Sequence, residues 1–340
     1  EPYRRQRQMC IRDRSIPMPF DKLKNDSEYF VKVQFLLKDD MPWAEKGFVT
    51  AEEQILLQEA MARPSISAVT ASAGKVKLDK SDTSIKTVSG DGFVAKFDME
   101  TGTIYSLAYG GKTIITDGNG PKLDALRAFT NNDNWFYSQW FEHGLHNLQH
   151  RATNSTVLER NDGTVVLAFT VESQAPNGAK IKGGTSTGKN SIEELTDRRF
   201  GENDFKFTTN QIWTVYPDGS VELQSSITSN RPSLVLPRLG YVMKIPQQYA
   251  DFTYYGRGPI DNYADRKSGQ FIEQHRNTVA GEFVNFPKPQ DMGNHEDVRW
   301  CALTDPDGEG AVFVATDRLS VSALQYSALD LICLLYTSDA

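Results

Sequence analysis

The sequence predicts an all-β protein built as a large antiparallel β-sandwich, and three observations support this class. Short runs of β-branched and aromatic residues recur along most of the 340-residue chain. Gly, Pro, Asn and Asp separate these runs at frequent intervals, and no long helical periodicity is visible. A hydrophobic content of 39% and an aromatic content of 11% suit a globular protein with a sizeable core. Many short strands joined by frequent turns are typical of a β-sandwich.

The first stretch, residues 21–60, holds two strand-like runs around a turn. Residues 28–37 and 48–57 are rich in β-branched and aromatic side chains, and residues 41–47 contain the Pro and Gly of a turn. Periodicity alone would also allow a helix over residues 51–62, but the neighbouring turn favours strands. Residues 64–82, rich in Ser, Ala, Lys and Asp, are predicted to be a connection with a short strand.

Alternation is sustained in the rest of the chain. Residues 84–88 and 93–97 flank a Gly-Asp-Gly turn and predict a hairpin, and residues 103–107 and 112–115 continue it as a meander. Further strands are predicted at residues 164–172, 204–216, 220–229, 234–244, 251–255 and 310–316. The polar, Gly-rich segment 174–198 is predicted to be a mobile insertion.

Charge and hydropathy exclude two classes of partner. The formal net charge of −7 argues against nucleic acid, and no run of about 18 apolar residues is present to cross a membrane. The two ends differ from the rest: residues 1–14 carry five arginines, and residues 332–340 follow a strand-like run abruptly. Residues 1–19 and 332–340 resemble translated adapter sequence and are predicted to be foreign. A native basic tail that binds an anionic partner is the alternative for the first end.

Cysteine usage is uninformative about the redox compartment. Cys10 and Cys333 lie in the two ends that are predicted to be foreign, so Cys301 is the remaining cysteine. A lone cysteine forms neither an intramolecular disulfide nor a metal site.

The most distinctive stretch runs from Tyr254 to Trp300. It opens with Tyr-Tyr-Gly-Arg-Gly-Pro-Ile-Asp-Asn-Tyr-Ala-Asp-Arg and closes with Pro-Gln-Asp-Met-Gly-Asn-His-Glu-Asp-Val-Arg-Trp. Two glycines and a proline predict a rigid turn. Polar groups this dense must satisfy one another, and Arg–carboxylate forks would fix the loop in one conformation. Six residues are predicted to form buried polar pairs: Arg257, Asp261, Asp265, Arg266, Asp297 and Arg299.

These two motifs resemble the small-chain domain of β-galactosidases of glycoside hydrolase family 2. That domain carries Tyr-Gly-x-Gly-Pro-x-Glu-Asn-Tyr-x-Asp-Arg and, further on, Pro-Gln-Glu-x-Gly-Asn-Arg-x-Asp-Val-Arg-Trp. Asp261 and Asp291 replace the two Glu, and His295 replaces an Arg. The resemblance implies a sandwich similar to galactose mutarotase. It assigns a structural motif to Tyr255, Gly256, Arg257, Gly258, Pro259, Asp261, Asn262, Tyr263, Asp265, Arg266, Gln290, Gly293, Asn294, Asp297, Arg299 and Trp300.

The same resemblance divides the chain into domains. Residues 20–66 resemble the end of the family's immunoglobulin-like domain 4, and residues 67–331 resemble the small-chain domain 5. An immunoglobulin-like sandwich needs about 100 residues. The first domain is therefore predicted to be partial, with an uncovered apolar face and unpaired strand edges.

A second polar segment covers Leu126 to Trp135. It resembles the family's Arg-Ala-Pro-Thr-Asp-Asn-Asp stretch, with Phe129 in place of Pro and Asn131 in place of Asp. Closely spaced donors and acceptors suit sugar hydroxyls. An array of Asx turns that caps a strand is the more ordinary interpretation of the same residues.

An aromatic and histidine-rich run follows this segment, from Trp135 to His150. Its aromatic rings could stack on the apolar faces of sugars, and its spacing fits a short helix with three histidines on one side, although Gly144 disfavours that helix. A metal site at these histidines would lack an obvious fourth ligand. A packing helix is the favoured interpretation. The predicted carbohydrate contacts are Arg127, Asn132, Asp133, Trp140 and His143.

Catalytic residues are not expected in this chain. Retaining glycosidases need two carboxylates about 5 Å apart, and the resemblance places both on an upstream barrel, of which no βα pattern is found here. The carboxylates Glu282, Asp261, Asp265 and Asp297 are expected to pair structurally with arginines such as Arg266 and Arg299. The chain is thus predicted to be an inactive C-terminal part of a β-galactosidase that hydrolyses terminal β-D-galactosides such as lactose, and to supply support and a substrate rim.

The resemblance also implies partners. The longer enzyme would bind its β-galactoside through the barrel, would use Mg2+ and Na+, and would be a homo-oligomer; no cofactor is expected in this chain. Two alternatives stay open. One is an aldose 1-epimerase that uses His143, His146 and a carboxylate such as Glu282. The other is a stand-alone carbohydrate-binding sandwich.

Overall fold

The structure, a computed structural model, describes residues 17–18, 20–60, 74–182, 190–286 and 290–333. It divides into two compact units, residues 1–64 and residues 65–340. Antiparallel strands dominate both units, so the predicted all-β class is confirmed. Within the described ranges, none of the helices has the length and apolar character needed to cross a bilayer.

The first unit is a two-stranded hairpin. A 3-10 helix at Phe20–Lys22 precedes strands β1 (Tyr29–Leu36) and β2 (Val49–Gln58), which pair in antiparallel register. One face is polar and carries a Lys32–Glu52 ion pair at 3.5 Å. The other face is apolar and open to solvent, and its Phe35 is 65% exposed. The strand prediction for this stretch is confirmed, and the partial immunoglobulin-like domain stays a prediction.

The second unit contains seventeen of the described strands and two short α-helices. The first nine strands are β3 (Lys77–Asp79), β4 (Ile85–Gly90), β5 (Phe93–Asp98), β6 (Thr103–Tyr109), β7 (Lys112–Ile115), β8 (Lys122–Asp124), β9 (Gln149–Glu159), β10 (Val165–Gln174) and β11 (Ala179–Lys182). The others are β12 (Ser191–Glu194), β13 (Phe207–Val215), β14 (Val221–Ser229), β15 (Gly240–Val242), β16 (Asp251–Gly258), β17 (Phe271–Thr278), β18 (His295–Thr304) and β19 (Gly310–Val321). The helices are α1 (Tyr137–Glu142) and α2 (Ala328–Cys333), and 3-10 turns lie at Asn131–Trp135, Leu145–Asn147 and Ala280–Glu282.

These strands form three larger sheets and two pairs. The meander β3-β4-β5-β6-β7 makes a five-stranded sheet, and two four-stranded sheets have the orders β14-β13-β10-β9 and β17-β16-β18-β19. Strands β11 and β12 pair with each other, as do β8 and β15. The hairpin predicted around residues 90–92 is present as β4 and β5.

The main core lies between the five-stranded sheet and the β14-β13-β10-β9 sheet. Side chains that alternate along β5 and β10 point into it, as expected for strands with one buried face. Trp213 marks the centre: its ring meets Phe97 edge to face at 5.8 Å, and its Nε1 donates to the carbonyl of Gly102 at 3.2 Å. The indole is thus both packed and hydrogen-bonded.

A second core holds the helices. Trp140 and Phe141 of α1 pack with Phe205, Phe207 and the residues of α2. Ile332, which the sequence analysis placed in the foreign C-terminal end, is 3% exposed in this core. The assignment of both ends as foreign stays a prediction. A third, smaller core lies under β16 and β18.

The structure corrects several predicted elements. Residues 234–244 form only the three-residue strand β15, because the Pro-containing approach to it is irregular. Segment 174–198, predicted as an insertion, contributes β11, β12 and the fully buried Ala179. Its residues 183–189 lie outside the described part, as do residues 61–73 of the predicted connection. Strands β8, β9, β17 and β18 were missed.

Candidate functional site

The segment after β8 is held by one ion pair. Arg127 forks onto Asp133, with Nη1–Oδ2 at 2.6 Å and Nη2–Oδ1 at 2.9 Å. Asp133 also accepts from the backbone N–H of Thr130 at 2.7 Å, so it caps the 3-10 turn Asn131–Trp135. Arg127 donates further to the carbonyls of Ala128 and Pro237. A bidentate pair with these supports fixes the turn rigidly.

Asp133 is kept ionised by its partners. Burial would raise the pKa of its carboxyl, but hydrogen bonds from Arg127 and Thr130 outweigh burial and hold the pKa below its usual value. A carboxylate bound this way accepts hydrogen bonds and does not donate a proton near neutral pH. Asp133 thus caps a 3-10 turn, not the strand end that the Asx-turn interpretation expected, and its predicted sugar contact stays a prediction.

Trp140 offers no ring face to a ligand. It is 1% exposed, its Nε1 donates to the carbonyl of Val235 at 3.0 Å, and the Arg127 guanidinium lies 5.6 Å from its ring centre. Such an indole packs inside the protein and stacks on a cation. The structure thus corrects the expectation that Trp140 stacks on a sugar, because helix α1 turns this residue toward the second core. The aromatic that stays outside is Trp135, which is 83% exposed.

The three histidines of this region do not share a helix face. Helix α1 ends at Glu142, and Gly144 follows with φ of 74°, a left-handed conformation that suits glycine. His143 contacts the carbonyl of Gln139 at 2.8 Å and Arg231 at 3.3 Å, and His146 pairs with Glu194 at 2.7 Å. His150 lies on β9 beside Ser173, with Nδ1 and Oγ 2.9 Å apart.

The separate partners of these histidines affect two of the interpretations made from sequence. Within the described residues, no group of three or more His, Cys, Asp or Glu is arranged to hold a metal ion. Glu282, the carboxylate considered for an epimerase, contacts His295 and Asn277 instead of His143 or His146. The constellation imagined for an epimerase is therefore not assembled by direct contacts.

Further charged groups surround the Arg127–Asp133 pair. Arg238 pairs with Asp124 on β8, with Nε–Oδ2 at 2.9 Å. Burial raises the pKa of Asp291, although its neighbours Tyr263, Arg238 and Arg127 favour the charged form. No motif in the sequence connects Asp124 and Arg238 with this site. The two residues are 114 positions apart in the sequence, so no local pattern could pair them.

The two halves of the distinctive stretch are joined by Asn262. Its Nδ2 donates to the carbonyls of Arg257 and Ile260, both at 3.0 Å, and its Oδ1 accepts from the N–H of Glu296 at 2.9 Å. Its backbone N–H donates to Asn294, whose side chain returns a bond to the carbonyl of Asn262. The fully buried amide thus ties both motifs together, which explains why Asn stands in each.

Arg257 and Asp297 form the main ion pair of this stretch. Arg257 Nε donates to Asp297 Oδ2 at 2.5 Å, and Lys267 reaches Asp297 Oδ1 at 3.2 Å. Burial would raise the pKa of Asp297, but the bonds from Arg257 and Lys267 outweigh it and lower the pKa. Both side chains are half-buried. Arg257 and Asp297 were both predicted to form buried polar pairs; the structure pairs them with each other, but in a partly exposed position.

The other predicted pairs are exposed or differ in partner. Arg266 reaches Asp261 at 2.9 Å, yet the Arg266 side chain is 59% exposed, and Asp265 is also exposed. Arg299 donates to the carbonyl of Asp297 and lies over the ring of Tyr255. The prediction of buried pairs is therefore wrong for Arg266 and Asp265, because the turn after Pro259 carries them into solvent.

Gly256 and Gly258 lie on strand β16 rather than in the predicted turn. The side chains of Tyr254 and His275 close over Gly258, where an added Cβ would lie 2.3 Å from Tyr254 Oη. Glycine is required there by close approach. The turn itself begins at Pro259, which follows a cis peptide bond.

A buried acid–histidine pair lies beside this strand. Glu282 Oε2 and His295 Nε2 are 2.7 Å apart, Asn277 donates to Glu282 Oε1 at 2.6 Å, and the ring of Tyr254 stacks on His295 at 4.1 Å. Glu282 was predicted to pair with an arginine, but its partner is His295, the residue that replaces the motif's Arg. Both side chains are shielded from solvent, so the pair is structural.

Two family profiles match the sequence of this chain. The profile of a family described as beta galactosidase small chain matches residues 89–337, and one described as beta-galactosidase, domain 4, matches residues 12–58. The first match begins near the end of β4 and covers β5 to β19, with the polar clusters around Asp133 and Asn262.

Curated relatives are similar over nearly the whole chain. A beta-galactosidase of Priestia megaterium is 25% identical over 320 residues, which are 93% of this chain and 28% of the relative. One of Halalkalibacterium halodurans is 26% identical over 343 residues, 97% of this chain and 30% of the relative. One of Lactobacillus delbrueckii subsp. bulgaricus is 26% identical over 320 residues, which are 92% of this chain and 27% of the relative. The chain thus spans less than a third of the length of these relatives.

Proposed function

Because the chain belongs to the β-galactosidase small-chain family, we propose that it serves as the supporting and substrate-rim portion of a longer β-galactosidase. The match over residues 89–337 carries this proposal. The longer enzyme would hydrolyse terminal β-D-galactosides such as lactose with retention. The low coverage of the relatives' length supports a division of labour in which the catalytic carboxylates lie outside this chain.

The chemistry of the carboxylates in the distinctive stretch supports the same division. Glycoside cleavage needs one carboxyl that donates a proton and one carboxylate that attacks or stabilises the sugar. Asp297 is bound by Arg257 and Lys267, and its pKa is lowered, so it makes a poor acid. Asp261 is bound by Arg266, and Glu282 is shielded by His295. These three groups stabilise the loops that would border the substrate.

Two accompanying features of the longer enzyme are proposed on the family resemblance alone. Mg2+ and Na+ would bind chiefly on the barrel that the family resemblance implies for the longer enzyme. The enzyme would be a homo-oligomer. Neither feature is needed for the structural role of this chain.

The test compares the 340-residue chain with the longer polypeptide encoded by the gene. We expect the longer polypeptide to release nitrophenol from 4-nitrophenyl β-D-galactoside and the present chain to release none. The α-galactoside is the control substrate. Turnover by the chain alone that survives repurification and is lost in Asp261→Asn or Glu282→Gln would contradict the proposal, because it would place catalytic carboxylates within the sandwich.

A further inference from the structure

Trp135 is the most exposed large apolar side chain among the described residues, with 83% of its surface open to solvent. It is the last residue of the 3-10 turn Asn131–Trp135. The conformation of this turn is fixed, because Asp133 caps it and Arg127 binds Asp133 through two hydrogen bonds. A rigid backbone that presents a large ring to solvent is pre-organised for binding.

Asn132 precedes Trp135 by three residues on the same 3-10 turn. Residues three apart in a 3-10 helix eclipse one another, so the exposed amide of Asn132 shares the face of the turn that carries Trp135. An indole offers a flat apolar surface, and an amide offers both a donor and an acceptor. Together they match the apolar C–H face and the hydroxyls of a pyranose ring.

The surroundings favour a neutral sugar over a protein partner. Ser138 and Gln139, which follow on α1, are exposed and uncharged, and the one carboxylate of the turn, Asp133, is neutralised by Arg127. Tryptophan anchors of protein interfaces are usually ringed by side chains that exclude water. Apart from Phe136, which is 40% exposed, the exposed neighbours in the sequence are amides and a hydroxyl, which stay hydrated and suit sugar hydroxyls.

We propose that Trp135 and Asn132 form a contact platform for the pyranose ring of a neutral galactoside. The proposal rests on the proposed function and gives its substrate rim a definite chemical form. Trp140 and His143 are excluded from the platform, since Trp140 is buried and His143 is engaged by Gln139 and Arg231. Arg127 and Asp133 are positioning residues that hold the turn.

The experiment follows the five tryptophan indole N–H signals of the 15N-labelled 340-residue chain by NMR while methyl β-D-galactopyranoside is added. The Trp135 signal is assigned with Trp135→Phe. We expect it to shift saturably in the millimolar range, and Asn132→Ala to weaken the apparent affinity about three- to tenfold. Trp43 is the matched control, because it is also exposed, at 62%, and lies in the first unit; its signal is expected not to move.

Four outcomes would overturn the platform, and the first three concern the sugar titration. These are a Trp135 signal that does not respond to the galactoside, an equal response to sorbitol, and an equal response of Trp43. Protein-concentration-dependent broadening of the Trp135 signal without sugar, removed by Trp135→Ala, would instead assign the residue to a protein contact and would also overturn it. The result is separable from the hydrolysis test: a longer polypeptide that cleaves galactosides while Trp135 stays silent disproves only the platform, and the reverse result disproves only the proposed function.

Discussion

At the scale of single residues, the distinctive stretch depends on side chains that serve several backbone groups at once. The Asn262 side chain satisfies the carbonyls of Arg257 and Ile260 in its own motif and the N–H of Glu296 in the other. No residue with fewer donors and acceptors could replace it. The sequence motif indicated that polar groups must pair here. It did not indicate which pairs are buried, because burial depends on where the turn after Pro259 leads.

The first prediction contrasts two arginines of this stretch. Arg257→Ala leaves Asp297 half-buried with Lys267 as its remaining cation, so we expect a loss of unfolding free energy of about 2 kcal/mol. Arg266→Ala breaks an exposed pair and is expected to cost about 0.5 kcal/mol. Urea denaturation of both variants measures the difference. Equal losses would show that exposure does not separate the two pairs.

The second prediction concerns pH and His150. Burial, with a smaller effect of Lys122, lowers the pKa of His150 from its ordinary 6.5 to about 4. Between these values the unfolded chain binds a proton that the folded chain does not, so stability falls as pH drops from 6.5 to 4. The loss attributable to this residue is about 3 kcal/mol at pH 4, from about 1.4 kcal/mol for each pKa unit.

His150→Gln tests that pH dependence, because glutamine can still contact Ser173 but does not titrate. We expect the variant and the wild type to differ little in slope above pH 7. Below pH 6.5 the variant should lose less stability than the wild type. Parallel stability curves from pH 8 to pH 4, measured by urea denaturation, would refute the assignment.

At the scale of elements, hydrophobic alternation predicted the central strands and failed at the polar ones. Strand β5 alternates cleanly and was predicted within a residue of its bounds, whereas β9 is made largely of Gln, Arg, Thr, Asn and Ser and has no apolar signature. As an edge strand, β9 is stabilised by pairing with β10, which a local pattern does not reveal. Trp135 and Trp140 likewise look equivalent in the sequence. Trp135 is exposed at the end of the capped turn, whereas Trp140 is buried on helix α1.

The third prediction concerns the hairpin β1–β2. None of its described residues is buried, whereas β10 and β13 are paired on both sides and cover the main core. Opening the hairpin therefore exposes little apolar surface, so its amides should exchange with a free energy near zero. In a hydrogen-exchange experiment, residues 29–58 should exchange orders of magnitude faster than residues 165–174. Equal protection of the two regions would show that the apolar face around Phe35 is buried against other residues.

At the scale of the whole molecule, stability is concentrated in the second unit. All fully buried residues of the described chain lie between Val76 and Ile332, in three cores. Burial of apolar surface is the dominant favourable term in folding. The first unit, which carries Phe35, Ile55 and Trp43 exposed, adds little of that term. Two units so unequal in burial should not unfold as one.

The last prediction follows from this imbalance. Unfolding enthalpy is about 0.7 kcal/mol per cooperative residue near 60 °C. The cores fall within residues 74–333, so calorimetry of the whole chain should give about 180 kcal/mol, on that scale, rather than the roughly 240 kcal/mol of a 340-residue cooperative unit. A variant that begins at residue 74 should melt within about 2 °C of the full chain, since a loss of 1 kcal/mol shifts Tm by about 2–4 °C at this size. A drop of more than about 5 °C on truncation would mean that the hairpin is part of the cooperative unit, because only the loss of buried contacts could lower Tm by that much.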